Sequence, residues 1–244
     1  MYFASIYGFI DPTVGLKLAN VEAVPAINFE KMAVFLRSSC ENNIALSKED
    51  WDSYEISWDF EQHPLVKRKE LHSLEKCYLT WKTECENRFL KMKDNEEHIN
   101  VVILKEYGLE NEVSCEVPEK SISVHRIFDT KEDIPVSMDG SYYVRTKRDE
   151  IVSLISYSVG CMFGRYSLDK KGIVNAGAPL NVNEYVSFSV DKDNIIPICD
   201  DEYFKDDIVG RFVEFIKIVY GADSLDDNLT FIAKALGGKE VHEK

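Results

Sequence analysis

The residues best placed to do chemistry are cations that bracket one apolar segment. Arg145, Lys147 and Arg148 precede it, Arg165, Lys170 and Lys171 follow it, and Tyr142, Tyr143 and Tyr166 stand among them. Contact with a phosphate backbone needs guanidinium or ammonium groups held on a rigid element, and neighbouring phenols supplement them. Arg145, Lys147, Arg148, Arg165, Tyr166, Lys170 and Lys171 are therefore the candidate DNA-contact residues. Ordinary solvated charge, with Arg165 paired to Asp169, is the competing explanation. The other reactive groups do not assemble into a site. Asp200-Asp201-Glu202 with Asp206-Asp207 has the oxygens for a hard cation, but just before a helix it reads more simply as an N-terminal cap. His63, His72, His98 and His125 share no register, so none is offered as a general base. Cys161 sits among apolar side chains that raise a thiol pKa and is expected to be structural. Neither a dinucleotide fingerprint nor a phosphate-binding P-loop is present. Catalytic, cofactor-binding and metal-ligating residues are accordingly not assigned.

The chain that must position these residues has 244 of them, 45% hydrophobic and 30% charged, with 43 acidic against 29 basic side chains and a net charge of -14. Bulk attraction to nucleic acid or anionic lipid is excluded by that sign, so any such partner must be met by a local patch. Residues 145–182 are that patch, with 6 basic and 3 acidic groups. Cys40, Cys77, Cys85, Cys115, Cys161 and Cys199 are scattered without a C-x-x-C pair, which points to free thiols in a reducing cytoplasm. No apolar run approaches a membrane span. Residues 1–10 are apolar, lack a basic lead-in and stop at Asp11-Pro12, so they are not read as a targeting sequence. We expect them to lie inside a domain whose other part is elsewhere.

The pattern is mainly helical with a minor β component. Asn28 is a candidate N-cap for a helix carrying Met32, Phe35 and Leu36, ending near Asn42-Asn43, and Ser47 to Asp50 reads as a second capping box. An acidic-aromatic turn with Trp51, Tyr54, Trp58 and Phe60 runs to His63-Pro64, where proline breaks helical geometry. Leu71, Leu74, Tyr78, Trp81, Cys85, Met92, Ile99 and Val102 then alternate at three- and four-residue spacing, interrupted at Arg88 and Asn95. That pattern predicts one long helix from Leu71 to Glu106, about 54 Å at 1.5 Å per residue, ended by Gly108. It fits equally a strut between modules or an arm of an antiparallel hairpin. Further on, 122–128 alternates as a strand. The segment from Asp149 to about Phe163 is apolar nearly all round and must be buried on more than one face, with Gly160 and Gly164 allowing close approach. Helices over Phe204 to Val219 and Leu225 to Leu236 close the chain, and Gly172 to Pro197 is loop-like.

Several of these segments resemble a known family. Phe9-Ile10-Asp11-Pro12-Thr13 with 18–25 is similar to the close of a target-recognition domain in adenine-specific DNA methyltransferases and type IIG restriction enzymes. Trp51 to Leu65, Val159 to Asp169, Asn194-Ile195-Ile196-Pro197-Ile198 and Asp206 to Phe212 resemble the C-terminal part of the PglX family, the methyltransferases of BREX phage-exclusion systems. The recognition-domain match is partial, because Ala19-Asn20 stands where the family has Gly-Asp. The resemblance implies S-adenosylmethionine as the cofactor of the parent enzyme and methylation of the exocyclic nitrogen of a flipped adenine. The family's F-x-G-x-G-like cofactor loop and N-P-P-[YF] motif do not occur in these residues. The chain is therefore expected to bind no cofactor and to be inactive alone. The expected division is a recognition-domain tail at 1–27, a helical spacer at 28–108 and a C-terminal helical module at 109–244. The implied partners are duplex DNA, the missing methyltransferase and recognition domains, and other defence-system subunits. The overall acidity keeps a second possibility open, an acidic interaction or DNA-mimic module that binds a partner subunit instead of DNA.

Overall fold

The computed structural model describes residues 29–177, 181–199, 204 and 206–238. The apolar segment 1–10, the candidate cap Asn28, the partial recognition-domain match and Asp200-Asp201-Glu202 lie outside them. The described residues are mainly helical with a minor β component, as expected. They form α1 (Phe29–Trp51), α2 (Leu74–Tyr107), β1 (Arg126–Phe128), β2 (Val144–Thr146), α3 (Lys147–Met162), α4 (Ile208–Tyr220) and α5 (Leu225–Leu236), with short 3-10 turns between them. None of the helices among the described residues is long and apolar enough to cross a membrane.

The chain divides into two units. One takes residues up to Lys48, Asn87–Val124 and Pro135–Tyr143, and the other takes Glu49–Glu86, His125–Ile134 and Val144 onward. In the first, Phe89, Met92, Leu104, Val117, Ile122, Val124 and Met138 are buried. Arg88 and Asn95, the two polar residues in the apolar stripe, are buried as well, and the Asn95 amide donates to Asn43 Oδ1 at 2.7 Å. That bond explains a difference from the sequence expectation. Asn42-Asn43 does not end α1, because Asn costs a helix well under 1 kcal/mol and Asn43 has a tertiary partner. Ser47 is consequently helical rather than a cap, and α1 runs on to Trp51.

The second unit holds the larger core, in which Phe60, Leu65, Leu74, Tyr78, Trp81, Tyr157, Tyr166, Phe215 and Tyr220 are buried together. Helix α3 packs against α4, α5 and β2, which is why nearly every face of it is apolar. Its first turn is closed by a capping box: Thr146 accepts from the Asp149 amide, and the Asp149 carboxylate accepts from the Thr146 amide at 2.7 Å. Gly160 sits where a Cβ would lie 2.6 Å from Cδ2 of Tyr166, so the missing side chain is what lets that ring pack on α3. The β component is smaller than the alternation over 122–128 implied. Only Arg126–Phe128 is strand, paired in parallel with Val144–Thr146, because the partner offers just three residues of ladder.

Helix α2 starts at Leu74, not Leu71. Leu71 ends a 3-10 turn, Val66–Leu71, and His72 takes a left-handed φ of 52° that separates the two. The first turn of α2 is completed from a distance, since the Leu74 amide donates to Oδ1 of buried Asn228 in α5 at 2.8 Å. Gly108, at φ 66°, follows its last residue. Helix α4 starts at Ile208 rather than Phe204, capped by Asp207, whose carboxylate accepts from the Gly210 amide at 2.5 Å.

Candidate nucleic-acid interface

The candidate cations all lie in the second unit, around α3 and the loop that follows it, and the fold assigns them different tasks. Arg145 sits one residue before the helix cap. Its Nε donates to Glu150 Oε1 at 2.5 Å and its guanidinium lies 4.6 Å from the ring centre of Tyr54. Glu150 is fully buried, and its other oxygen accepts from Trp81 Nε1 at 2.9 Å. Arg145 is thus the counter-ion of an interior carboxylate. Lys147 approaches Asp129 at 3.2 Å and lies 5.2 Å from the ring centre of Tyr78. Asp129 also accepts from Lys82 at 2.8 Å and from the Tyr78 hydroxyl at 2.9 Å. Burial alone would raise that carboxyl, but these donors, Lys82 and Tyr78 foremost, hold it down at about 2.

Arg148 and Arg165 are exposed. Arg148 donates through Nη1 to the Leu236 carbonyl at 2.9 Å, a cation at the negative end of α5. Arg165 lies over the ring of Tyr166, 5.4 Å from its centre. Tyr166 itself is 1% exposed and stacks on Tyr157 at 5.1 Å, with burial pushing its phenol up to about 12. Its ring belongs to the core. Asp169 is engaged by the backbone amide of Ser187 at 2.8 Å, with the Ser187 hydroxyl bonded to the same carboxylate.

Lys170 and Lys171 point outward, held at 2.7 Å by Glu184 and Glu61 respectively. The structure places them on one cleft of about 250 Å³ with Lys67 and Lys69 from the 3-10 turn. That pair is not among the candidate residues named from the sequence. The run Lys67-Arg68-Lys69 was the available sign, but it was diluted in segment 67–107, whose 9 basic and 8 acidic groups nearly cancel. Arg68, between them, turns inward to Glu84 and the Trp81 ring.

Cys161, His63, His125 and His72 are engaged within the fold. Burial pushes the Cys161 thiol up to about 12. All six cysteines are free. His63 is 1% exposed, its Nδ1 accepts from the Leu65 amide at 3.2 Å, and burial lowers it to about 3. His125 is held by Asp50, which also accepts from the His125 backbone amide. His72 is not on the long helix, and its Nδ1 faces the Tyr220 carbonyl at 3.2 Å.

No family model matches the sequence. The chain is 35% identical over 240 residues to an adenine-specific methyltransferase PglX from Lacticaseibacillus casei (strain Zhang), an alignment that covers 96% of this chain and 18% of that protein. It is 31% identical over 242 residues to an adenine-specific methyltransferase BrxX from Escherichia coli O9:H4 (strain HS), covering 96% of this chain and 19% of that protein. The chain therefore spans about a fifth of the length of these relatives. It is homologous, along nearly its whole length, to a portion of the PglX- and BrxX-type adenine-specific methyltransferases.

Proposed function

We propose that this polypeptide is a non-catalytic spacer and DNA-contacting portion of an adenine-specific DNA methyltransferase that works in phage defence, in the cytoplasm. The observation that carries this is the 35% identity sustained over 96% of the chain, against 18% of the relative's length. Such a segment is expected to serve an enzyme whose S-adenosylmethionine site and base-gripping motif lie in the rest of the protein. Helix α2 is the spacer, and the 109–244 module supplies the contact surface. The surface is expected to run through Arg148, Arg165, Lys170 and Lys171, which are exposed. Arg145 and Lys147 act one step back, by fixing the start of α3 against Glu150 and Asp129.

The test is binding of the chain to duplex DNA across a salt series, with the double variant Arg148→Gln/Arg165→Gln beside the unmodified chain. Binding that weakens with salt and weakens further in the variant supports the reading, since each lost phosphate contact removes roughly 0.9 from the slope of log K against log salt. No binding at low salt overturns it and favours an acidic module that docks on a protein. Calorimetry with S-adenosylmethionine should give no binding heat, and a measurable affinity would place a cofactor site within these residues.

A further inference from the structure

The geometry points to a phosphate-binding cleft between the 3-10 turn Val66–Leu71 and the loop around Lys170, in which Lys67, Lys69, Lys170 and Lys171 clamp a phosphodiester of duplex DNA. It rests on the DNA-contact reading above and gives that reading a location. Two distant pieces of sequence are brought together here. The Gly172 amide donates to the Glu61 carbonyl at 2.8 Å, and Lys171 bonds the Glu61 carboxylate at 2.7 Å, so the loop is fastened to the segment that leads into the turn. The cleft between them has a volume of about 250 Å³, and its floor includes Val66, which is fully buried.

An anion entering the cleft meets lysines from both of its walls. Counting Glu61 and Glu184, the partners of Lys171 and Lys170, the site is close to neutral; the lining itself sets four lysines against the carboxylates of Glu70 and Asp169. Of those two carboxylates, Asp169 is already engaged by Ser187. Lys67 and Lys69 are exposed, Lys67 near enough to Glu61 and Lys69 near enough to Asp169 to favour the ionised carboxylates. Lys170 and Lys171 have partners, but their side chains remain 50% and 74% exposed. Exposed pairs of this kind contribute at most about 1 kcal/mol, so an arriving phosphate can take over both ammonium groups. Glu184 and Glu61 then act as placeholders that keep the two lysines extended over the cleft until the backbone replaces them. Lysine suits this task because it meets phosphate as a point charge and tolerates any sequence.

The experiment is fluorescence anisotropy of a short labelled duplex of mixed sequence titrated with the full chain at several salt concentrations. Lys67→Gln/Lys69→Gln should weaken binding and reduce the magnitude of the salt slope by about 1.8, as loss of two phosphate contacts requires. Glu61→Gln/Glu184→Gln, which frees Lys171 and Lys170, should tighten binding. Lys67, Lys69 and Glu61 are exposed and Glu184 is half-buried, and unchanged thermal melting will establish that each variant folds. If the unmodified chain binds and Arg148→Gln/Arg165→Gln weakens it, but Lys67→Gln/Lys69→Gln leaves the slope unchanged, the cleft assignment is overturned while the DNA-contact reading stands. If the unmodified chain does not bind duplex DNA, both fall.

Discussion

Glu150 shows how a single residue decides what its neighbours are free to do. An unpaired carboxylate at 0% exposure would be prohibitively costly, and Arg145 and Trp81 are the groups that satisfy it. Glu150→Ala should therefore cost about 3 kcal/mol in urea unfolding, since it strands a largely buried guanidinium as well as the indole N–H. An unchanged midpoint would mean that Arg145 swings out to water without loss, and would return it to the candidate DNA surface. His63 makes a prediction of a different kind. Its folded-state pKa, about 3, lies below its ordinary 6.5, so the unfolded chain binds the extra proton first. The stability it contributes is complete above pH 6.5 and is lost progressively as pH falls from there toward 3. Unfolding free energy measured between pH 7 and 5, where most carboxylates are still ionised, should decline in the unmodified chain. The decline should be shallower in His63→Gln, and equal slopes would show that another group is responsible.

Among the elements, α2 and α3 illustrate how far local pattern reaches. The spacing of Leu71, Leu74, Tyr78, Trp81, Cys85, Met92, Ile99 and Val102 predicts a long helix with one apolar stripe; the five from Leu74 to Met92 are buried, whereas Leu71 is exposed and Ile99 and Val102 are half-buried. Its starting point was not legible, because the groups that set it are His72 in a left-handed conformation and Asn228, 154 residues away. Asn228→Ala leaves the Leu74 amide without its buried acceptor and should lower stability by about 1–2 kcal/mol, seen as a lower midpoint in thermal or urea unfolding. A value near zero would mean that water enters to cap the helix. Helix α1 went the other way. Asn42, Asn43 and Ser47 are residue types that commonly end or begin helices, but the bond between Asn43 and Asn95 carries the helix through them. The apolar run expected from Asp149 locates α3, but its start lies two residues earlier, at Lys147, where the Thr146–Asp149 capping box sets it.

On the scale of the whole molecule, a net charge of -14 sets the electrostatic background against which every basic residue works. Self-repulsion of that size destabilises the compact state and is screened by salt. The melting temperature should accordingly rise when salt is raised from a few millimolar toward physiological strength. A fall would show that surface pairs such as Lys171 with Glu61 outweigh the repulsion. The same salt should weaken binding to duplex DNA, so the two measurements move in opposite directions if the basic surface is a binding surface and not a stabilising one. Acidity overall and a basic cleft locally are compatible, since screening confines each charge to its neighbourhood.

The helical class, the place of the long stripe and the resemblance to adenine-specific methyltransferases were legible in the chain, because they depend on residues close together or on motifs read in order. Which cations face inward depends on the packing. Arg145 and Lys147 answer to Glu150 and Asp129, Tyr166 is drawn into the core through the gap left by Gly160, and Lys67 and Lys69 come to stand beside Lys170 and Lys171. The physical reason is that the partner of a charge is fixed by distance in space. Burial makes that partner obligatory, and neither quantity can be read from position along the chain.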